Sequence, residues 1–234
     1  MNNEIFRSHL NNLEKSIIGK GGFRLQSLVK DIDGSLNKAV NTELENAWYD
    51  FGRKVNGYIT ADGAQSDIDL DTLILRTYLT DGEVFIYVDR NAKNPYGISF
   101  KLLDSLSLDS DLNKMRTSTQ NAIILGVEVD QNYRPVKYWF REGDGDNYKT
   151  GKRFAIDAKD IIHIFKKEFV NQTRGYSEMI ASIDSLKQLD DYAVAELFAA
   201  KVSACHSVFY ERTGDTAGNF FNQTEGDEDP GTFV

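Results

Sequence analysis

The sequence predicts an α+β fold: helices and antiparallel or mixed strands in an N-terminal body, followed by one long helix. Three observations carry this. Apolar residues recur at three- and four-residue spacing in separate stretches near the N-terminus. Short runs rich in valine, isoleucine and aromatics sit between turn residues over 83–165. Then a stretch of about thirty residues from Ser177 holds no proline or glycine. Runs of helices and runs of strands, without β-α-β alternation, indicate α+β packing.

The elements follow in order. Ile5, Phe6, Leu10, Leu13, Ile17 and Ile18 predict a helix over about 4–18, stopped at Gly19-Lys20-Gly21-Gly22. Phe23 to Val29 reads as a short strand. Leu36, Val40, Leu44, Ala47 and Phe51 form a stripe for a second helix, 35–51, with Ser35 as its N-cap and Trp48 and Tyr49 packed in the core. Ser66 caps a third helix, with Asp67, Asp69 and Asp71 near its positive end and Leu70, Leu73, Ile74 and Tyr78 along one side. Asp81-Gly82 ends it. Glu83 to Val88 is a strand by residue type, and further strands are expected over 99–103 and 122–129. Val127 to Val129 and Val136 to Phe140, joined by residues 130–135, predict a β-hairpin with an extended loop. Residues 143–147 read as a surface turn and Ile161 to Phe165 as a last buried strand, with His163 hydrogen-bonded inside it.

The long helix is expected from Ser177 to His206, on the order of 45 Å at 1.5 Å per residue. Leu186, Leu189, Ala193, Leu197, Ala200 and Ala204 form a continuous seam, and the alanines allow close approach of neighbouring helices. After Gly214 the composition turns polar and acidic. Asp215, Glu225, Asp227, Glu228 and Asp229 stand there without a lysine or arginine. Such a segment is expected to be flexible.

Bulk properties narrow the function. The 234 residues suffice for a sizeable core. No apolar run reaches the roughly 20 residues a membrane helix needs, and the N-terminus MNNEIFRSHL lacks the apolar stretch of a secretory signal. One cysteine, Cys205, leaves no internal disulfide and is expected to be buried. A net charge of −9 argues against gripping nucleic acid by phosphate neutralisation, but it does not argue against a conduit, where weak attachment is an advantage.

Catalytic signals are weak. His9, His163 and His206 have no metal-ligand spacing. Neither Gly19-Lys20-Gly21-Gly22 nor Gly151-Lys152-Arg153 completes a phosphate loop. Asp67-Ile68-Asp69-Leu70-Asp71 starts like a calcium loop, but Thr72 and Tyr78 stand where glycine and glutamate belong, and helix capping explains the acids better. No cofactor, metal or catalytic set is expected. Lys149, Lys152, Arg153, Lys166, Lys167 and Arg174 are the candidate contacts for an acidic partner, or else a solvated rim.

Several stretches, in order, carry a resemblance. They are Ile18-Gly19-Lys20-Gly21 with Gln26; Arg76 followed by Asp81-Gly82-Glu83-Val84-Phe85; and Gly126 to Asp130 with Arg134 to Tyr138. Asp160 to His163, Gln172-Thr173-Arg174-Gly175, and Leu189 to Tyr192 with Ala195-Glu196-Leu197 complete the series. Together they resemble the lambda-type portal proteins of tailed bacteriophages. This chain departs in having Tyr176-Ser177 where the family usually has Pro-Trp, and it is about half the family's length.

The resemblance implies a non-enzymatic machine part: a wing-like α+β domain over 1–170, a stem helix over 171–207, and the start of a clip-like segment over 208–234. Arg174 and Gly175 would form its elbow, and Leu186, Leu189, Ala193, Leu197 and Ala200 its subunit contacts. It also implies a dodecameric ring at the capsid vertex of the virion, assembled in the host cytoplasm and passing DNA without sequence-specific binding. Implied partners are copies of itself, the terminase large subunit, and capsid, scaffold and head–tail joining proteins, with no membrane. The rival expectation is a prophage-encoded, metal-dependent DNA-processing enzyme.

Overall fold

A computed structural model describes residues 4–143, 148 and 151–205. The expectations for residues 144–147, Lys149, His206, the clip-like segment and the acidic tail lie outside the described residues. The chain divides into two compact units, 1–189 and 190–234.

Within the first unit, α1 (Glu4–Ile17), α2 (Lys38–Gly52) and α3 (Asp67–Asp81) precede seven strands. These are β1 (Glu83–Asp89), β2 (Ser99–Leu103), β3 (Ala122–Ile124), β4 (Val127–Val129), β5 (Pro135–Arg141), β6 (Arg153–Asp157) and β7 (Ile161–Phe165). They form two antiparallel sheets, ordered β2-β1-β7 and β3-β4-β5-β6. The α+β class is as the sequence predicts.

Strand β1 is the hinge of the packing. Side chains alternate faces along a strand, so Phe85 enters one cluster with Leu108, Val127, Val129, Tyr138, Phe140 and Ile161. On the α-helical side, Phe51, Ile59 and Leu70 form a second cluster, with Ile74 and Phe100 packed against it. Being covered on both faces is why β1 reads as an almost unbroken apolar run.

The helix ends are settled by side-chain oxygens. Ser66 caps α3 as expected and forms a reciprocal capping box with Asp69. Asn37, not Ser35, caps α2, accepting from the Val40 amide at 3.0 Å. Ser35 is already engaged, its amide and hydroxyl both bonding Asp33. The strand expected over 23–29 does not form. Three of its backbone polar groups bond α2 side chains instead: Asn41 accepts from the Val29 amide at 2.8 Å and donates to the Val29 carbonyl at 3.0 Å, while Glu45 accepts from the Ser27 amide at 2.9 Å. This segment is an extended strap tied to α2.

Other expectations are corrected by burial. Trp48 and Tyr49 are 41% and 67% exposed, and Leu36, Val40 and Leu44 are also exposed, because nothing among the described residues of the first unit covers them fully. Residues 122–129 make two strands turned at Leu125-Gly126, both at positive φ. The hairpin β4–β5 forms as predicted, with Val127 opposite Tyr138. Strand β6 was not foreseen, since its residues read as a basic patch. Strand β7 buries Ile161 but exposes Ile162 and Ile164. The long helix, α4, runs over Ile180–Cys205, three residues later than expected at its start. Cys205 is exposed, not buried.

Candidate functional site

The site that organises the first unit is built around Glu83, the first residue of β1, whose side chain is 2% exposed. A carboxylate taken from water needs partners for both oxygens. Oε1 accepts from Arg174 Nε at 2.7 Å, and Arg174 Nη2 pairs with it as well. Oε2 accepts from the Gly175 amide at 2.9 Å and from His163 Nε2 at 3.2 Å. His163 Nδ1 lies 3.4 Å from the Tyr138 hydroxyl, which fits the tautomer carrying its proton on Nε2.

Arg174 reaches further. Nη1 donates to the Leu125 carbonyl at 3.3 Å and Nη2 to the Ser105 carbonyl at 3.4 Å. Its guanidinium also stands 5.9 Å from the centre of the Phe85 ring. Gln172, itself buried, shapes the approach by donating to the Arg174 carbonyl at 2.7 Å and accepting from the Glu168 amide at 2.6 Å. Past the elbow, the Ser177 hydroxyl donates to the Leu79 carbonyl at 2.9 Å and accepts from the Met179 amide.

Two glycines make this crossing possible. Gly82 closes α3 in the left-handed region, φ +84°, and a Cβ there would sit 1.9 Å from the Tyr176 carbonyl carbon. A Cβ on Gly175 would sit 2.1 Å from the Gly82 carbonyl oxygen. No side chain fits at either position. Asp81-Gly82-Glu83 and Arg174-Gly175-Tyr176 therefore form a clasp, backbone against backbone.

The electrostatics follow from burial and pairing. Burial pushes the Glu83 carboxyl up, but the hydrogen bonds from His163 and Arg174, the arginine's charge and the Gly175 amide together hold it below the usual glutamate range. Burial dominates at His163 and lowers its pKa despite Glu83, so the ring is held neutral. The Tyr138 hydroxyl is pushed up to about 12, mainly by burial and then by the Glu83 charge.

A second buried carboxylate, Asp109, is gripped by Arg141 at 2.7 Å and by Arg153. At the helical end, Arg76 binds Glu14 through Nε and Nη2 at 2.6 and 2.9 Å and joins α1 to α3.

Four of the basic residues expected to meet an acidic partner make intramolecular contacts. Arg174 and Arg153 hold buried carboxylates. Lys166 pairs with Glu178 at 2.7 Å and Lys167 lies 6.0 Å from the Phe165 ring centre, while Lys152 is exposed. Of the seam positions, Leu186 is half-buried and Leu189, Ala193, Leu197 and Ala200 are exposed along α4. Sequence reasoning singled out Arg174-Gly175 but missed Glu83 as their partner. The available signal was an acidic residue opening a strand otherwise apolar to Val88.

Both halves of the clasp lie within stretches of the resemblance noted above, and comparison with known proteins agrees. The family described as "Phage portal protein, lambda family" matches residues 1–232. This chain belongs to that family. A curated relative, described as "Probable portal protein" of Halomonas phage phiHAP-1, is 27% identical over 226 residues. The alignment covers 95% of this chain and 43% of that relative, so the chain spans less than half of the relative's length. Among the described residues, no helix is long and apolar enough to cross a membrane.

Proposed function

We propose that this chain works as part of a phage portal: a structural subunit of a dodecameric ring at the capsid vertex, through which DNA is packaged and ejected. The observation that supports it most is the family match over residues 1–232. The character of α4 agrees with it. Leu189, Tyr192, Val194, Leu197 and Phe198 are all exposed on that helix, and a group of exposed apolar side chains marks an interaction surface. The seam Leu186, Leu189, Ala193, Leu197 and Ala200 supplies the close helix contact between copies. Arg174 and Gly175 form the elbow that starts the helix from a fixed point.

In this reading the work is geometric and no bond is made or broken. The net charge of −9 favours a weakly attached DNA over a gripped one. Partners are the terminase large subunit and the capsid, scaffold and head–tail joining proteins, met in the host cytoplasm before the portal enters the virion. Lys149, Lys152, Arg153, Lys166 and Lys167 are the candidate contacts for an acidic partner. The rival reading, a metal-dependent DNA-processing enzyme, needs carboxylates converging on a divalent cation. The two buried carboxylates described above, Glu83 and Asp109, are instead occupied by arginines.

Electron microscopy of the complete gene product tests the proposal. Closed rings are expected, and particles that stay monomeric across salt conditions would overturn it.

A further inference from the structure

On the strap side of the first unit, two hollows of about 360 and 460 Å³ share Leu25, Trp48 and Phe100 as walls and so form one trough. Its lining is largely apolar, and Phe23, Leu25, Leu44 and Trp48 are between 41% and 60% exposed. Surfaces of this kind mark interaction sites. The strap also carries charge of one sign: residues 18–30 hold Lys20, Arg24 and Lys30 and no acid, in a chain that is acidic overall. None of the three makes an ion pair among the described residues. On the trough's other side, Asp67 and Asp71 line the smaller hollow.

The helix α4 offers the complement. At 100° per residue, the alanine seam occupies one side, while Val194, Phe198 and Val202 fall on the opposite side with Asp184, Lys187 and Asp191. Asp184 and Asp191 are separated by about 10 Å along a helix. Arg24, which lines the smaller hollow, has the sign to meet either of them. Lys187, between the two acids, has the sign to meet Asp67 and Asp71. The pattern therefore matches in both signs, with bulky apolar residues between the charges.

We propose that the trough receives the Val194–Phe198–Val202 side of α4 from a second copy of this chain. This rests on the ring reading above and deepens it. A ring needs a heterologous interface in which each copy offers two different surfaces, and the strap trough and the outer side of α4 are such a pair. The alanine seam remains for helix-to-helix contact.

Single-cysteine chains test this, since Cys205 is the only cysteine. In a Cys205→Ser background, one preparation carries Leu25→Cys and another carries Phe198→Cys. Mixed and oxidised, they are expected to give a disulfide-linked heterodimer that pairing Tyr133→Cys with Phe198→Cys does not give. Arg24→Glu should weaken association on the order of threefold, as for one exposed ion pair, and Asp191→Arg should restore it. If sedimentation shows association without the Leu25–Phe198 product, the trough assignment falls and the ring reading stands. If copies neither associate nor cross-link at any concentration, the trough assignment falls as well. The ring reading is then decided by the complete gene product under the microscope.

Discussion

Phe85 on β1 and Phe198 on α4 are the same side chain in opposite circumstances, 0% and 68% exposed. Around Phe85 every neighbour is engaged. His163 stacks on it at 4.2 Å, Tyr138 and Phe140 meet it edge-on, and the charges of Glu83 and Arg174 cancel beside it. Around Phe198, further apolar residues stand exposed along the helix. The first region satisfies itself within one chain; the second carries surface that the described residues leave uncovered. Stability of the folded unit therefore resides in the first region, and in the proposed ring the second supplies contact between copies.

Substitutions should separate the two. Gly82→Ala is expected to have the largest effect, more than about 4 kcal/mol, because a Cβ would collide with the Tyr176 backbone at a positive φ. Chemical denaturation measures it. A near-normal midpoint would show that the clasp yields easily. Arg174→Ala should cost about 3–5 kcal/mol, because it strands a buried carboxylate. Arg174→Lys should recover only part of that, since one ammonium cannot replace the fork that reaches Glu83, Leu125 and Ser105.

Acid should loosen the same region in two stages. His163 is held neutral with its pKa below the ordinary 6.5, so the unfolded chain takes up its proton first and stability falls as pH drops beneath that value. Glu83 lies below its ordinary 4.5 and adds a further loss as pH falls beneath that. Unfolding free energy measured against pH should show both, and His163→Gln should remove the upper stage. An unchanged upper stage in that variant would assign it to another group.

Smaller effects complete the series. Ser66→Ala should cost about 1 kcal/mol through loss of the α3 cap, read from the thermal midpoint. Phe198→Ala should leave the monomer within about 0.5 kcal/mol of the parent while reducing association in sedimentation. A large loss of monomer stability there would erase the contrast with Phe85.

Much of this contrast was legible along the chain. The α3 cap, β1, β2, the β4–β5 hairpin and the extent of α4 follow from short-range rules of residue type and spacing. The failures share one cause. Phe23 to Val29 has strand-like residues, but Asn41 and Glu45 take its backbone hydrogen bonds. Arg153 and Arg174 look like free cations until Asp109 and Glu83, distant in sequence, come beside them. Trp48 and Cys205 have core composition, but burial depends on whether another surface arrives.

The sequence by itself determined the α+β class, the family and the positions of most elements, and it singled out the arginine-glycine pair, because each is written in local order. Only the tertiary structure decided that Glu83 is what the elbow grips, that two glycines let the backbones touch, and which apolar side chains stay in water. Those are matters of contact between residues as many as 98 positions apart, and local residue order does not encode which distant groups will meet.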